Sequence, residues 1–371
     1  MKFSCNKNDL LEGVMAASKA TPSRPTVAIL ENLLFDADEK LSIIGNNLDT
    51  AVSYTLDANI QDKGSVTLNS RIICEIIRKL PEGIVFFELK ENNVTHIKCM
   101  DVEYDISGVP ADEYPDFPTV NGEKFFSLEP EKYLAIIRQT SFAAAQVDMG
   151  RPVLMGVKFE IENGKLTASA LDGARLAARW EDIDYSGAPI ECVIPCRALN
   201  DFAKIIKPEE EDQVVKFSIS KNFVLLKIGS CRFVSRLLEG EFVDFRRFIP
   251  SDILFETVIN KNEFANSLER AALVIDENAA KSPIKLKFSG NKMTVFCMTN
   301  RGKVNDVVDI SANVTEPFEI GFNHKYVLDA LRNSECEEIK MQFTGEIKPS
   351  VIKSTDDNGK FIFIVTPVRL K

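Results

Sequence analysis

The chain has 371 residues, 45% of them hydrophobic, and a formal net charge of −10 from 45 Lys+Arg against 55 Asp+Glu. That length exceeds one ordinary core and suits two or three domains, and the acidic balance excludes general adhesion to nucleic acid or anionic membrane unless cations are concentrated on one surface. No stretch nears the roughly 18 apolar residues of a spanning helix, and Met1-Lys-Phe-Ser-Cys-Asn6 holds no apolar signal region, so a cytoplasmic protein without a membrane partner is expected.

The first predicted elements are a short strand and an amphipathic helix over 6–14, followed by Arg24-Pro25, a strand over 29–35 and a turn-linked partner strand starting at Lys40-Leu-Ser. A second helix follows, Arg71-Ile-Ile-Cys-Glu75-Ile-Ile-Arg78, then alternating strands such as Asn93-Val-Thr-His-Ile-Lys98. At about 100° per residue Arg71 and Arg78 fall within about 20° of each other, opposite the apolar side formed by Ile72, Ile73, Ile76, Ile77 and Leu80. Such a helix holds two positive charges directly away from its own core.

The same order recurs twice. The opening helix returns at 130–137 and 260–268, and the partner strand returns at Lys165-Leu-Thr and Lys292-Met-Thr. The charged helix returns as Arg197-Ala-Leu-Asn-Asp201-Phe-Ala-Lys204 and Lys325-Tyr-Val-Leu-Asp329-Ala-Leu-Arg332. The proline loop returns as Arg151-Pro152 and Lys281-Ser-Pro283, and the first two units close alike, in Tyr114-Pro-Asp-Phe117 and Phe242-Val-Asp-Phe245. In each charged helix the first cation precedes the acid, the weaker orientation for a stabilising pair, so that pair alone explains the triplicated pattern poorly.

A repeat of this size predicts three copies of one α+β domain, residues 1–121, 124–250 and 253–371, each a β-α-β-β-β pattern written twice with two helices on antiparallel sheets. Copies joined edge to edge make an arc with two unpaired edges, which head-to-tail pairing with a second chain would close. The concave side would then carry Arg71, Arg78, Arg197, Lys204, Lys325 and Arg332, with Arg24 and Arg151 near a rim.

Catalytic signatures are missing: there is no phosphate loop, dinucleotide fingerprint, zinc-protease or nucleophile-elbow motif. His96 and His324 have no partner readable in sequence, Cys192 and Cys196 are the one close cysteine pair, and the acid runs Glu209–Asp212 and Asp356-Asp357 read as solvated loops. Neither an enzyme nor a bound metal or cofactor is expected, and the eight cysteines are expected as buried thiols.

Over nearly its whole length the chain resembles the bacterial sliding clamps, the beta subunits of DNA polymerase III. The stretches that carry the likeness are Arg24-Pro-Thr-Val-Ala-Ile-Leu-Glu-Asn-Leu-Leu34, Leu80-Pro-Glu-Gly83, Asp172-Gly-Ala-Arg-Leu-Ala177, Gly240-Glu-Phe-Val-Asp-Phe-Arg-Arg247, Gly321-Phe-Asn-His-Lys-Tyr-Val-Leu-Asp329 and Pro367-Val-Arg-Leu370. The resemblance implies a ring-shaped homodimer whose pore-lining helices face double-stranded DNA, read without regard to sequence. It also implies a clamp loader, and replicative and repair polymerases that dock through short peptides carrying a glutamine and apolar anchors.

The implied peptide pocket matches Leu154, Leu171, Gly173, Arg175, Leu176, Val243, Arg247, Phe248, Asn323, Tyr326, Ile347, Val365, Pro367, Val368, Arg369 and Leu370. The implied subunit contact sets Tyr104 and Ile106 against Leu273 and Val274 of a second copy. The chain departs from the family's pattern at Ala174, where histidine is usual, at Val243, where proline is common, and in its final Lys371. Two function classes fit the residues: a clamp that encloses DNA and docks clients, and an acidic three-domain scaffold that binds peptides without enclosing DNA.

Overall fold

Asparagine opens four helices. A computed structural model describes residues 1–22, 24–122, 124–207, 213–275, 283–356 and 359–370. Among these, the helices longer than one turn are α1 (Lys7–Ala17), α2 (Ser70–Lys79), α3 (Pro130–Thr140), α4 (Cys196–Ala203), α5 (Lys261–Ala272) and α6 (His324–Asn333). The side chains of Asn6, Asn69, Asn260 and Asn323 accept from backbone N–H groups in the first turns of α1, α2, α5 and α6. Each such cap contributes about 1 kcal/mol by satisfying an otherwise orphaned donor. Pro130 starts α3, at a first-turn position where no backbone donor is needed.

The expected repeat is present. Each of the first two thirds runs strand, helix and three strands twice over, with one extra short strand, Asn59–Asp62, in the first. The last third departs from it. Where a turn-linked pair was expected, residues Ile284–Thr299 form one continuous strand whose register slips around Gly290, which sits at φ 58°. A residue there needs the left-handed region, and glycine enters it without a Cβ penalty, so a bulge replaces the turn. The Arg24 and Arg151 loops also differ from expectation, leading first into one-turn 3-10 helices, Ala28–Glu31 and Pro152–Met155, and only then into strands.

By its contacts the chain forms two compact units, residues 1–133 with 197–237, and residues 134–196 with 238–371. In the first unit, strand Cys231–Arg236 of the central repeat pairs antiparallel with Thr50–Leu56 of the first, making one eight-stranded sheet. In the second, Arg175–Asp182 pairs with Phe361–Val365 of the last repeat, making one ten-stranded sheet. Strand pairing between repeats therefore does what the sequence pattern required of it. A separate five-stranded sheet belongs to the first repeat alone.

The cores are mainly aliphatic, with aromatic pairs running through them. Phe87 stacks on Phe3 at 4.8 Å and on Phe35 at 5.7 Å in the first repeat. Tyr133 meets Phe202 edge-on at 5.4 Å and donates its hydroxyl to the Leu199 carbonyl, pinning α3 to α4. Phe255, Phe288, Phe318 and Phe343 cluster in the last repeat. All eight cysteines are free thiols and six are buried. Burial, with Asp9 adding to it, pushes the Cys5 thiol up to about 12.

Candidate functional site: cationic helices, a candidate peptide wall and a sheet edge

All eight cations singled out from sequence and described here are exposed: Arg24, Arg71, Arg78, Arg151, Arg197, Lys204, Lys325 and Arg332. The ninth, Lys281, lies outside the described residues, as do Glu209–Asp212 and Asp357. Helix α2 buries Ile73, Cys74 and Ile77 as its period demands, but Ile72, counted with the apolar side, is 52% exposed beside Arg71.

A neighbouring helix braces two of the cations, Arg78 and Arg332. Arg78 packs its guanidinium against Met15 of α1, with Nη2 3.3 Å from the sulfur, and pairs with Glu75. Asp201 holds Lys204 at 2.8 Å and Arg197 at 3.7 Å, while Arg332 reaches Glu269 of α5 at 2.7 Å. Arg71 and Lys325 make no ion pair with any described residue. Partial neutralisation of this kind leaves a modest positive potential, because exposed pairs are weak and screened.

The acid of the third helix behaves differently from its two counterparts. Asp329 pairs with Arg175, which starts a strand in the same unit, and Asp172 holds the Arg175 Nε at 3.0 Å. The guanidinium lies over the Tyr326 ring at 4.7 Å and 5.7 Å from the Phe142 ring. Only 10% of the Arg175 side chain is exposed, so this cation is a fixed wall rather than a free charge.

The turn before Arg175 is built by Asp172, whose Oδ1 accepts from the N–H groups of Ala174 and Arg175, with Gly173 at φ 90°. Beside it, Leu171 and Leu176 are buried and share one apolar cluster with the half-buried Leu154 and Val243. The chain's end runs along the same wall. Thr366 donates both its N–H and its hydroxyl to the Ala174 carbonyl, and the Val368 N–H donates to the Gly321 carbonyl at 2.8 Å.

Gly321 makes that approach possible, since a Cβ there would sit 2.6 Å from Leu370 and 2.9 Å from the Val368 carbonyl oxygen. Asn323 caps α6, Val365 is buried, Pro367 and Leu370 are half-buried, and Val368 and Arg369 are exposed. Arg247, Phe248 and Ile347 are also exposed, the last at 68%. No hydrogen bond, ion pair or ring contact among the described residues ties these three to the Arg175 wall. The structure thus assembles the Leu154–Arg175–Tyr326 side and the tail, and does not join the other three to them.

Three family models cover the chain in order: the N-terminal domain of the DNA polymerase III beta subunit over residues 1–118, its central domain over 127–244 and its C-terminal domain over 246–368. The chain belongs to the DNA polymerase III beta subunit family. It is 31% identical to the "Beta sliding clamp" of Bacillus subtilis, with all of both chains covered.

The fold agrees. A putative DNA polymerase III beta subunit from Eubacterium rectale superposes with TM-score 0.93 at 32% identity over 99% of each chain. The Bacillus subtilis sliding clamp does so with 0.93 at 30% over the whole of both. The family role is to tether a polymerase for processive DNA replication, which is a non-catalytic task. No helix among the described residues is long and apolar enough to cross a membrane.

The residues expected at a subunit contact lie on a sheet edge and just past the end of a helix. Strand Val102–Ser107 is one edge of the five-stranded sheet, with Tyr104 37% exposed and Ile106 packed partly on the first core. Leu273 follows α5 at 80% exposure, and the Val274 carbonyl accepts the Thr299 hydroxyl at 2.5 Å. His96 finds Asp105 on that edge strand at 2.8 Å, a partner that separation in sequence hid.

Asp172, Phe142 and Asp329, which touch Arg175, and Thr366, which bonds to Ala174, were not among the candidate pocket residues read from the sequence. The Asp172-Gly-Ala-Arg175 turn was readable, because an aspartate two and three residues before free N–H groups closes this loop by itself. Phe142 and Asp329 gave no local signal.

Proposed function

We propose that two copies of this chain close head to tail into a ring of six domains that encircles duplex DNA and slides on it. The domain limits are 1–121, 124–250 and 253–371, and the α1 to α6 helices face the pore. Arg71, Arg78, Arg197, Lys204, Lys325 and Arg332, with Arg24 and Arg151, are the DNA-facing cations. Their exposure at matching places on three homologous helices of an acidic chain carries this reading. A partly neutralised cationic lining tolerates phosphates without gripping them, which suits sliding. Tyr104 and Ile106 of one copy meet Leu273 and Val274 of the other, burying apolar groups that would otherwise be a hazard at a sheet edge.

Clients and the clamp loader would insert short peptides against the wall of Leu154, Leu171, Leu176, Val243, Arg175 and Tyr326. Apolar surface next to a few fixed polar groups is what such a site requires. The scaffold alternative explains the pocket but gives no reason for the triplicated cations. Loading onto nicked circular DNA, followed by cutting of the circle, tests enclosure; a scaffold would be indifferent to the cut.

A further inference from the structure

The solvent face of the eight-stranded sheet carries a feature that neither DNA enclosure nor the peptide pocket uses. Lys216, on strand Val215–Ile219, lies directly opposite Lys227, on Phe223–Ile228, and Lys227 lies directly opposite Arg232, on Cys231–Arg236. The neighbours at the two ends of this row are Ser127 and Ser53. Phe217, Leu226 and Phe233 alternate with the cations and are buried, so the row points away from the core.

All three cations are exposed, and none has an ion pair with a described residue; Arg232 rests on the Phe117 ring at 4.9 Å. Like charges directly opposite on neighbouring strands destabilise a sheet. In a chain of net charge −10, three in a row are a cost that folding does not need. The next outward position on strand Lys124–Leu128 is Phe125, 61% exposed.

We propose that this ladder is a docking surface for an acidic amphipathic helix of a partner protein, lying across the strands. Spacing selects the partner's form. Neighbouring strands are about 4.8 Å apart, so the ladder spans roughly 9.6 Å. A helix with acids on three successive turns, at i, i+4 and i+7, spans about 10.5 Å. An extended peptide puts same-side acids roughly 6.8 Å apart, and matches the ladder poorly. An apolar residue flanking the acids on the helix would cover Phe125. DNA is the other anion that such a row could take, and competition with oligothymidine separates it from the helix.

Fluorescence anisotropy on the full-length protein tests this, with a stapled helical peptide carrying Glu at i, i+4 and i+7 beside a Leu. The control peptide has the same composition with its Glu residues spread around the helix. The patterned peptide binds in a salt-sensitive manner and the control binds worse. Lys216→Gln with Lys227→Gln weakens the patterned peptide about fivefold. In the same samples Lys227→Gln raises Tm, because the repulsion is relieved.

Loss of binding with a raised Tm separates a docking role from a structural one, which would lower both. Equal binding of the two peptides, or unchanged binding by the double variant, overturns the proposal. So does displacement of the peptide by oligothymidine at lower concentration than by unlabelled peptide, which would assign the ladder to DNA. Binding that emerges only when Glu209, Glu210, Glu211 and Asp212 are neutralised overturns it too, by making the chain's own acids the occupant.

Discussion

Asp329 stands on the cationic helix α6 but spends its charge on Arg175, 154 residues away, rather than on Lys325 or Arg332. One helix thus presents cations on its exposed side and holds Arg175 with another. Arg175→Ala would leave Asp172 and Asp329 facing each other without their common partner. The expected outcome is a loss of about 1–2 kcal/mol in stability, discounted for the partial exposure of Asp329, and at least tenfold weaker binding of a glutamine-plus-leucine client peptide. The dimer's mass should not change. Denaturant melts, peptide anisotropy and sedimentation measure the three effects.

Gly321 is the second control on the pocket. Gly321→Ala forces a Cβ against Leu370 and the Val368 carbonyl, so the tail must shift. Overpacking of this kind costs about 1–3 kcal/mol. Peptide affinity should fall together with protection of the Val368 amide in hydrogen exchange, while the Thr366 amide, bonded to Ala174, stays protected.

Acid sensitivity should centre on Glu335. Burial opposes its ionisation, but the Arg179 hydrogen bond and the charges of Arg179 and Arg138 outweigh it and hold the carboxyl below its ordinary 4.5. Arg138 reaches it at 2.5 Å and Arg179 at 3.0 Å, and Arg179 also takes Gln139 at 2.5 Å. A lowered folded-state value means the contribution is complete above about 4.5 and disappears as pH falls through the lowered value. Glu335→Gln should therefore lower stability at neutral pH and flatten the acid limb of a stability–pH curve below about 4.5.

The subunit contact is tested at Leu273. Removing an 80%-exposed leucine cannot disturb the chain's own core, so Leu273→Ala should leave Tm of the protomer intact. If the residue is buried against Tyr104 and Ile106 of a second copy, the lost leucine costs about 1.5 kcal/mol at each of the two contacts of the ring, so dimerisation weakens roughly a hundredfold. Sedimentation across a dilution series reads this directly, as a shift toward the 41.5 kDa species.

Much of the fold was legible because the message is written three times. Charged helices at 71–78, 197–204 and 325–332 all lie within or at the end of α2, α4 and α6, and repetition made each reading support the others. Where one copy deviates the reading slipped. The bulge at Gly290 and the exposed Ile72 are local decisions by single residues, invisible to a pattern shared among repeats. In the candidate pocket the apolar side was foreseeable and its electrostatics were not. Asp329 looked like one more member of a helix-surface pair, and only packing of α6 beside the strand that starts at Arg175 redirects it. Long-range ion pairs leave no period in a sequence.

Enclosure is the central claim, and retention on DNA measures it. The protein, loaded with a clamp loader and ATP on nicked circular DNA, should stay bound through a rise in salt that strips phosphate-bound proteins, and should leave promptly once the circle is cut. Equal lifetimes on the circle and on the cut DNA, both falling steeply with salt, would mean that the cations adhere to the duplex from one side and that no ring surrounds it.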